Sequence, residues 1–110
     1  SKQMKSGEGA PYVLWGRTDA VTDDTVDEYK NRKNCLFGYV PKYELPQLYV
    51  YMFLTGKQRA RQIESHDKDQ LVHEITFTPD VWDRYKHELD KAVDDMLAMH
   101  SHGTASIQID

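Results

Sequence analysis

Apolar and β-branched residues recur between polar ones from Tyr12 to Thr22 and again from Thr25 to Arg32, and the polar pair Asp23-Asp24 stands between the two runs. This pattern predicts two strands joined by a two-residue turn. Counting outward from the turn sets Thr22 opposite Thr25, Val21 opposite Val26, Asp19 opposite Glu28 and Arg17 opposite Lys30, the last three pairs on one face. The apolar run from Leu45 to Thr55 has Pro46 near its start and Gly56 just beyond its end, the punctuation of a short helix. Gln47 and Tyr51, four residues apart, share a face of that helix. Gln58 to Ser65 and Gln70 to Phe77 read as two more strands around the turn His66-Asp67-Lys68-Asp69. Leu71, His73, Ile75 and Phe77 fall on one face of the second, and His73 in such company reads as a hydrogen-bonded core histidine.

Thr78 and Pro79 supply an N-cap and a first-turn proline for a long helix. Its stripe of Trp82, Tyr85, Leu89, Val93, Met96 and Leu97 predicts packing over the sheet. Asp80, Asp83, Glu88, Asp90, Asp94 and Asp95 are expected on its wet side. Residues 1–10 show no apolar period and read as a loop or flexible edge, and 103–110 reads as a tail that is either an edge strand or disordered. Together the elements predict a single α/β domain over 1–110, a mixed, mostly antiparallel central sheet of about four strands flanked by helices.

The expected hairpin carries the chemistry. Opposed residues of an antiparallel pair have Cβ atoms about 4.5–5.5 Å apart, so Asp19 and Glu28 would repel each other unless something positive lies between them. A divalent cation with oxygen ligands, Mg²⁺ or Mn²⁺ as its substitute, fits this need and takes substrate phosphate into its shell. Lys30 projects from the same face, where it could orient or deprotonate an attacking water. Taken alone, the same pattern also describes a solvated hairpin face with scattered charges.

A second set of residues points to a family. Gly16-Arg17-Thr18-Asp19, then Glu28-Tyr29-Lys30, then Gln47 followed by Tyr51-Met52 stand in one order along the chain. This order resembles the PD-(D/E)XK nuclease superfamily, in particular its RecB-like and lambda-exonuclease-like (YqaJ) members, over roughly Tyr12 to Gly56. The resemblance implies a restriction-endonuclease-like core in which Asp19, Glu28 and the backbone carbonyl of Tyr29 bind Mg²⁺. Lys30 would act on the nucleophilic water, Gln47 would hold that lysine or the DNA backbone, and Tyr51 would support Gln47. It further implies a metal-dependent DNA nuclease leaving 5′-phosphate ends, an exonuclease of recombination, repair or viral DNA processing. The alternatives are a structure-specific endonuclease and a catalytically silent DNA-binding or assembly module. Two departures stand out: Thr18 occupies the place of the family's proline, and the family's upstream helix with a further acidic or histidine ligand has only residues 1–10 in its place, with Glu8 as their one acid. An N-terminally shortened core is therefore expected, its missing surface supplied by a further domain or by a second subunit of a homo-oligomer.

Composition narrows the partners. With 39% hydrophobic and 29% charged residues, the chain has no apolar run near the ~20 residues of a membrane helix, and no signal-peptide core is visible. No membrane partner is expected, and an intracellular setting is expected over a secreted one. Cys35 is the single cysteine, which excludes an intrachain disulfide and a cysteine-rich zinc site. The net charge of −4 opposes non-specific grip on nucleic acid. Its distribution offsets this: Lys30, Arg32, Lys33 and Lys42 cluster around the expected site, Lys57, Arg59 and Arg61 follow the Gln47 helix, and much of the acid lies from Asp80 to Asp95. Arg17 and Arg32 are thus the expected supporting or DNA-contacting residues. His100 and His102 make an incomplete zinc set and read as incidental.

Overall fold

In the computed structural model, which describes residues 2–6, 9, 11–99 and 105–109, the chain is α/β, with two sheets and two helices. It divides into two compact units, Arg17–Phe77 and the pair of segments Ser1–Gly16 and Thr78–Asp110.

The first unit contains β3 (Ala20–Val21), β4 (Thr25–Asn31), α1 (Leu45–Thr55), β5 (Arg59–His66) and β6 (Asp69–Thr76), the strands forming one sheet in the order β3-β4-β5-β6. β3 and β6 run antiparallel to their neighbours, and β4 and β5 run parallel. A parallel pair needs a crossover, and α1 supplies it, packing against both strands. Pro46 lies in the first turn of α1, and Gly56 ends it in the left-handed conformation (φ 76°) that glycine adopts without steric cost. The helix buries Leu48, Tyr49, Val50, Tyr51 and Met52, and the sheet adds the buried Val26 and Ala60, which share a face with Glu28 and Lys30. On the opposite sheet face, Asp27 accepts from Thr25 Oγ1 (2.8 Å) and from Nε of Arg61 (2.9 Å), its cross-strand neighbour, fastening β4 to β5. β5 and β6 turn through Asp67-Lys68, with Asp67 at φ 51°, a conformation aspartate tolerates better than most residues.

The second unit contains β1 (Lys2–Lys5), β2 (Pro11–Gly16), α2 (Pro79–Met99) and β7 (Ala105–Ile109). Its sheet order is β1-β2-β7, with β1 antiparallel and β7 parallel to the central strand. Tyr12 and Leu14 alternate inward from β2 and are almost fully buried, as are Trp82 and Val93 from the expected stripe of α2. The helix opens as expected at Thr78, whose carbonyl accepts the amides of Val81 and Trp82.

Three expectations change, and the choice left open for the tail is decided. The strand expected from Tyr12 to Thr22 is two strands in different sheets. The Thr18 hydroxyl donates to the Asp27 carbonyl (2.9 Å), a side chain standing where a ladder amide would stand. The expected N-terminal loop contains β1, which a lone apolar Met4 among lysines and glutamine could not announce; such lysines guard exposed sheet edges. The tail resolves as strand β7. Asp90, expected on the wet side of α2, is buried, accepting from the Tyr12 hydroxyl (2.7 Å) and pairing with Lys86 (2.7 Å). Glu8, His100 and His102 lie outside the described residues.

The Tyr12–Asp90 bond joins sheet and helix within this unit, and the buried carboxylate pushes the Tyr12 phenol well above its ordinary range after burial itself has done so. Tyr12→Phe deletes only the hydroxyl. It is expected to lower stability by about 2 kcal/mol, the size of a hydrogen bond to a charged acceptor, measured by urea unfolding.

Candidate functional site

The turn sets the site. Val21 pairs with Val26 and Ala20 with Asp27, as counted outward from Asp23-Asp24, and the Thr22 amide donates to the Thr25 carbonyl (2.8 Å). One step further the ladder stops. Asp19 turns its carboxylate onto the neighbouring strand instead, accepting the Tyr29 amide at Oδ2 (2.8 Å) and standing against the Glu28 carboxyl.

The two acids differ in solvent access. Asp19 is exposed, whereas Glu28 keeps 7% of its surface accessible. Burial first, and then the neighbouring Asp19, push the Glu28 carboxyl up to about 8. Asp19 is held below the usual carboxylate range by its hydrogen bond with Glu28 and by the Tyr29 amide. Near neutral pH the pair therefore shares one proton, the state two adjacent carboxylates adopt when no cation separates them. Oε2 of Glu28 is buried with no hydrogen-bond partner among the described residues.

Beside the acids runs a relay from β4 to α1. Lys30 donates from Nζ to Oε1 of Gln47 (3.1 Å), and Nε2 of Gln47 donates to the hydroxyl of the buried Tyr51 (3.1 Å). The i, i+4 spacing puts Gln47 and Tyr51 on the face of α1 that meets β4. The phenol fixes which way the amide points, and the amide fixes the ammonium.

A third layer was not legible in the sequence. Glu64 on β5, directly opposite Lys30 in the parallel register, is completely buried. Burial alone would raise its carboxyl, but His73, the Phe37 amide and Arg32 outweigh burial and hold it below the usual range. Arg32 donates through both terminal nitrogens to Glu44 (2.9 Å each), holds Nε 3.7 Å from Glu64 and lies 3.9 Å over the Phe37 ring. Gln62, also fully buried, donates to Glu44 (2.9 Å). The β4–β5 and β5–β6 registers, together with the segment between β4 and α1, bring these residues together, and no local spacing encodes that. His73 does make the hydrogen bond expected of it, through Nε2 to Glu64.

Asp19, Glu28, Lys30, Gln47 and Tyr51 thus converge within the first unit. Arg17 does not face Lys30 in the ladder, which begins only at Ala20; it is exposed. The Tyr29 side chain lies half-exposed on the other sheet face from Glu28 and Lys30. Among the described residues, no three or more His, Cys, Asp or Glu side chains gather as a metal-holding group. No described helix is long and apolar enough to cross a membrane. Against protein-family models, curated proteins and solved structures, the chain matches none.

The donor set fits one divalent cation: two oxygen acids side by side, one with a buried unpartnered oxygen, carrying a proton that a cation could replace. The acids also set a pH dependence. Glu28 is raised in the folded chain, so between the ordinary carboxyl value of 4.5 and about 8 the folded state holds a proton that the unfolded state has lost. This contribution therefore weakens as pH rises through that window and levels off above it. Glu28→Gln removes the titration. In chelator, the variant's melting temperature is expected to gain several degrees on the parent between about pH 5 and about pH 8.5, whereas a pH-independent difference would contradict the shared proton.

Proposed function

We propose that the Asp19/Glu28 face is the active centre of a Mg²⁺-dependent phosphodiesterase acting on DNA. The observation that carries this reading is the convergence of the acid pair with the Lys30–Gln47–Tyr51 relay on one sheet face. A β4-α1-β5 crossover beside a short antiparallel β3-β4 pair supports it further, since it sets the aspartate, the ExK strand and the glutamine helix side by side.

Asp19, Glu28 and the Tyr29 carbonyl would hold the ion. When bound, Mg²⁺ polarises the scissile phosphate and lowers the pKa of a coordinated water. The remaining roles fall to the chain itself. Lys30 has three N–H donors and spends one on Gln47, leaving two to orient the attacking water and to offset negative charge growing on the phosphoryl oxygens. Gln47 and Tyr51 are positioning residues, acting through that ammonium. Arg32 is tied down by Glu44 and Glu64, so support is the role its surroundings favour. Arg17, exposed two residues before Asp19, is the candidate contact for substrate phosphate.

Within this reaction class, the motif order favours an exonuclease of recombination, repair or viral DNA processing. The pair of carboxylates without a third acidic or histidine neighbour among the described residues favours a second reading, a silent nuclease-fold module that binds DNA without cutting it.

End-labelled linear DNA and covalently closed circles, each with Mn²⁺ or with EDTA, separate the readings. Loss of linear DNA alone, stopped by EDTA and reduced about 10²–10⁴-fold by Lys30→Ala, is the expected result. Cutting of closed circles would move the protein to the endonucleases. Full activity in Lys30→Ala would remove the lysine from the mechanism.

A further inference from the structure

The segment between β4 and α1 leaves the sheet two residues after Lys30 and enters the helix three residues before Gln47, so both of its ends border the candidate site. Its sequence from Lys33 to Tyr43, Lys-Asn-Cys-Leu-Phe-Gly-Tyr-Val-Pro-Lys-Tyr, contains no acid in a chain whose net charge is −4. Three of its residues are aromatic, and all three face solvent: Phe37 at 38%, Tyr39 at 63% and Tyr43 at 75% of their surface. Lys33 and Lys42, the two lysines of the same segment, are exposed as well.

Exposed aromatic rings on a slack loop would gain little by binding, because ordering them would cost entropy. This loop is already ordered. Arg32 and Glu44 clamp its two ends together (2.9 Å), and the Phe37 amide is bound to the buried Glu64 carboxylate at its middle. The Glu44 amide closes the returning arm onto the Pro41 carbonyl (3.0 Å). Gly38, at φ 79°, turns the chain between Phe37 and Tyr39, whose rings stack with centroids 6.2 Å apart. One face of Phe37 is covered by the Arg32 guanidinium, which leaves Tyr39 and Tyr43 as the open surfaces. The buried network under the site is therefore also the anchor of an aromatic platform.

We propose that Tyr39 and Tyr43, flanked by Lys33 and Lys42, form a stacking platform for unpaired bases, and that the strand entering the candidate site is single-stranded. The choice of ligand rests on the phosphodiesterase reading of the Asp19/Glu28 face. The chemistry of the loop narrows that reading: a ring stacks only on a base whose face is free, and in a duplex those faces are occupied by neighbouring base pairs. The two lysines match the phosphates that link such bases, and no carboxylate between them opposes that attraction.

The test is fluorescence anisotropy of a labelled oligothymidylate and of a blunt duplex of equal length, in EDTA so that nothing is cut. The parent protein is expected to prefer the single strand. Tyr39→Ala/Tyr43→Ala should weaken that binding at least about tenfold, while Tyr39→Phe/Tyr43→Phe retains it and both variants unfold at the parent's temperature. Replacing Lys33 and Lys42 by Gln should flatten the salt dependence by about 0.7 in log–log slope per lysine. Preference for duplex, absence of single-strand binding, or an alanine variant that binds like the parent would overturn the platform. So would a dimer that the alanine variant abolishes, since a second copy of the chain would then be the occupant. Failure of the enzyme reading shows separately: tyrosine-dependent binding without Mg²⁺-dependent cleavage keeps the platform and removes the phosphodiesterase, and Lys30-dependent cleavage with tyrosine-independent binding does the reverse.

Discussion

Two carboxylates that a tight turn forces together, one of them taken out of water, are the constraint around which the first unit is arranged. The Asp23-Asp24 turn fixes the register as far as Ala20 opposite Asp27, the Tyr29 amide beyond the ladder holds Asp19 against Glu28, and burial of Glu28 disfavours a double negative charge there without a proton or a cation. An uncharged pair would pack there at lower cost, and that cost is what the proposed cation would offset. The conflict is local, and the Lys30 ammonium acts on both acids, favouring their charged forms.

The neighbouring elements hold these side chains in place. The α1 crossover lays a helix over β4 and β5 and spends its one polar row, Gln47 and Tyr51, on aiming the Lys30 ammonium. Beneath that row, Glu64 and Gln62 are buried side chains that a core would ordinarily exclude: His73, Arg32 and the Phe37 amide meet the Glu64 carboxylate and Glu44 accepts from the Gln62 amide, while Oε1 of Gln62 has no hydrogen-bond partner among the described residues. The same ties hold the aromatic loop. Site and loop therefore share one framework, and disturbing Arg32 or Glu64 disturbs both.

What could be read from the sequence was what local chemistry determines. Pro46 and Gly56 bracket α1, Thr78-Pro79 starts α2, and the polar pair at the turn sets the β3–β4 register within a residue; these are short-range signals with short-range causes. The alternation from Tyr12 to Thr22 misled because periodicity reports that residues are extended, not which sheet they join. The transfer from one sheet to the other is made by Thr18, whose hydroxyl takes the Asp27 carbonyl, a contact with no period. Asp90 was placed on the wet side of α2 by charge alone, and only the tertiary approach of Tyr12 explains its burial. The acid pair and the lysine were legible because the turn brings them together across a few residues. The Arg32–Glu44–Glu64 network was not, because it needs the parallel β4–β5 register, which the α1 crossover creates over a span of more than thirty residues.

The central claim is that the acid pair holds a proton in place of a divalent cation. Calorimetric titration of Mn²⁺ into the metal-free protein near neutral pH, repeated in two buffers of different ionisation enthalpy, measures it directly, because protons released on binding appear as a buffer-dependent heat. The account predicts one bound ion, release of about one proton, and loss of both in Asp19→Ala and in Glu28→Gln. Absence of binding, or binding with the same heat in both buffers, would contradict it.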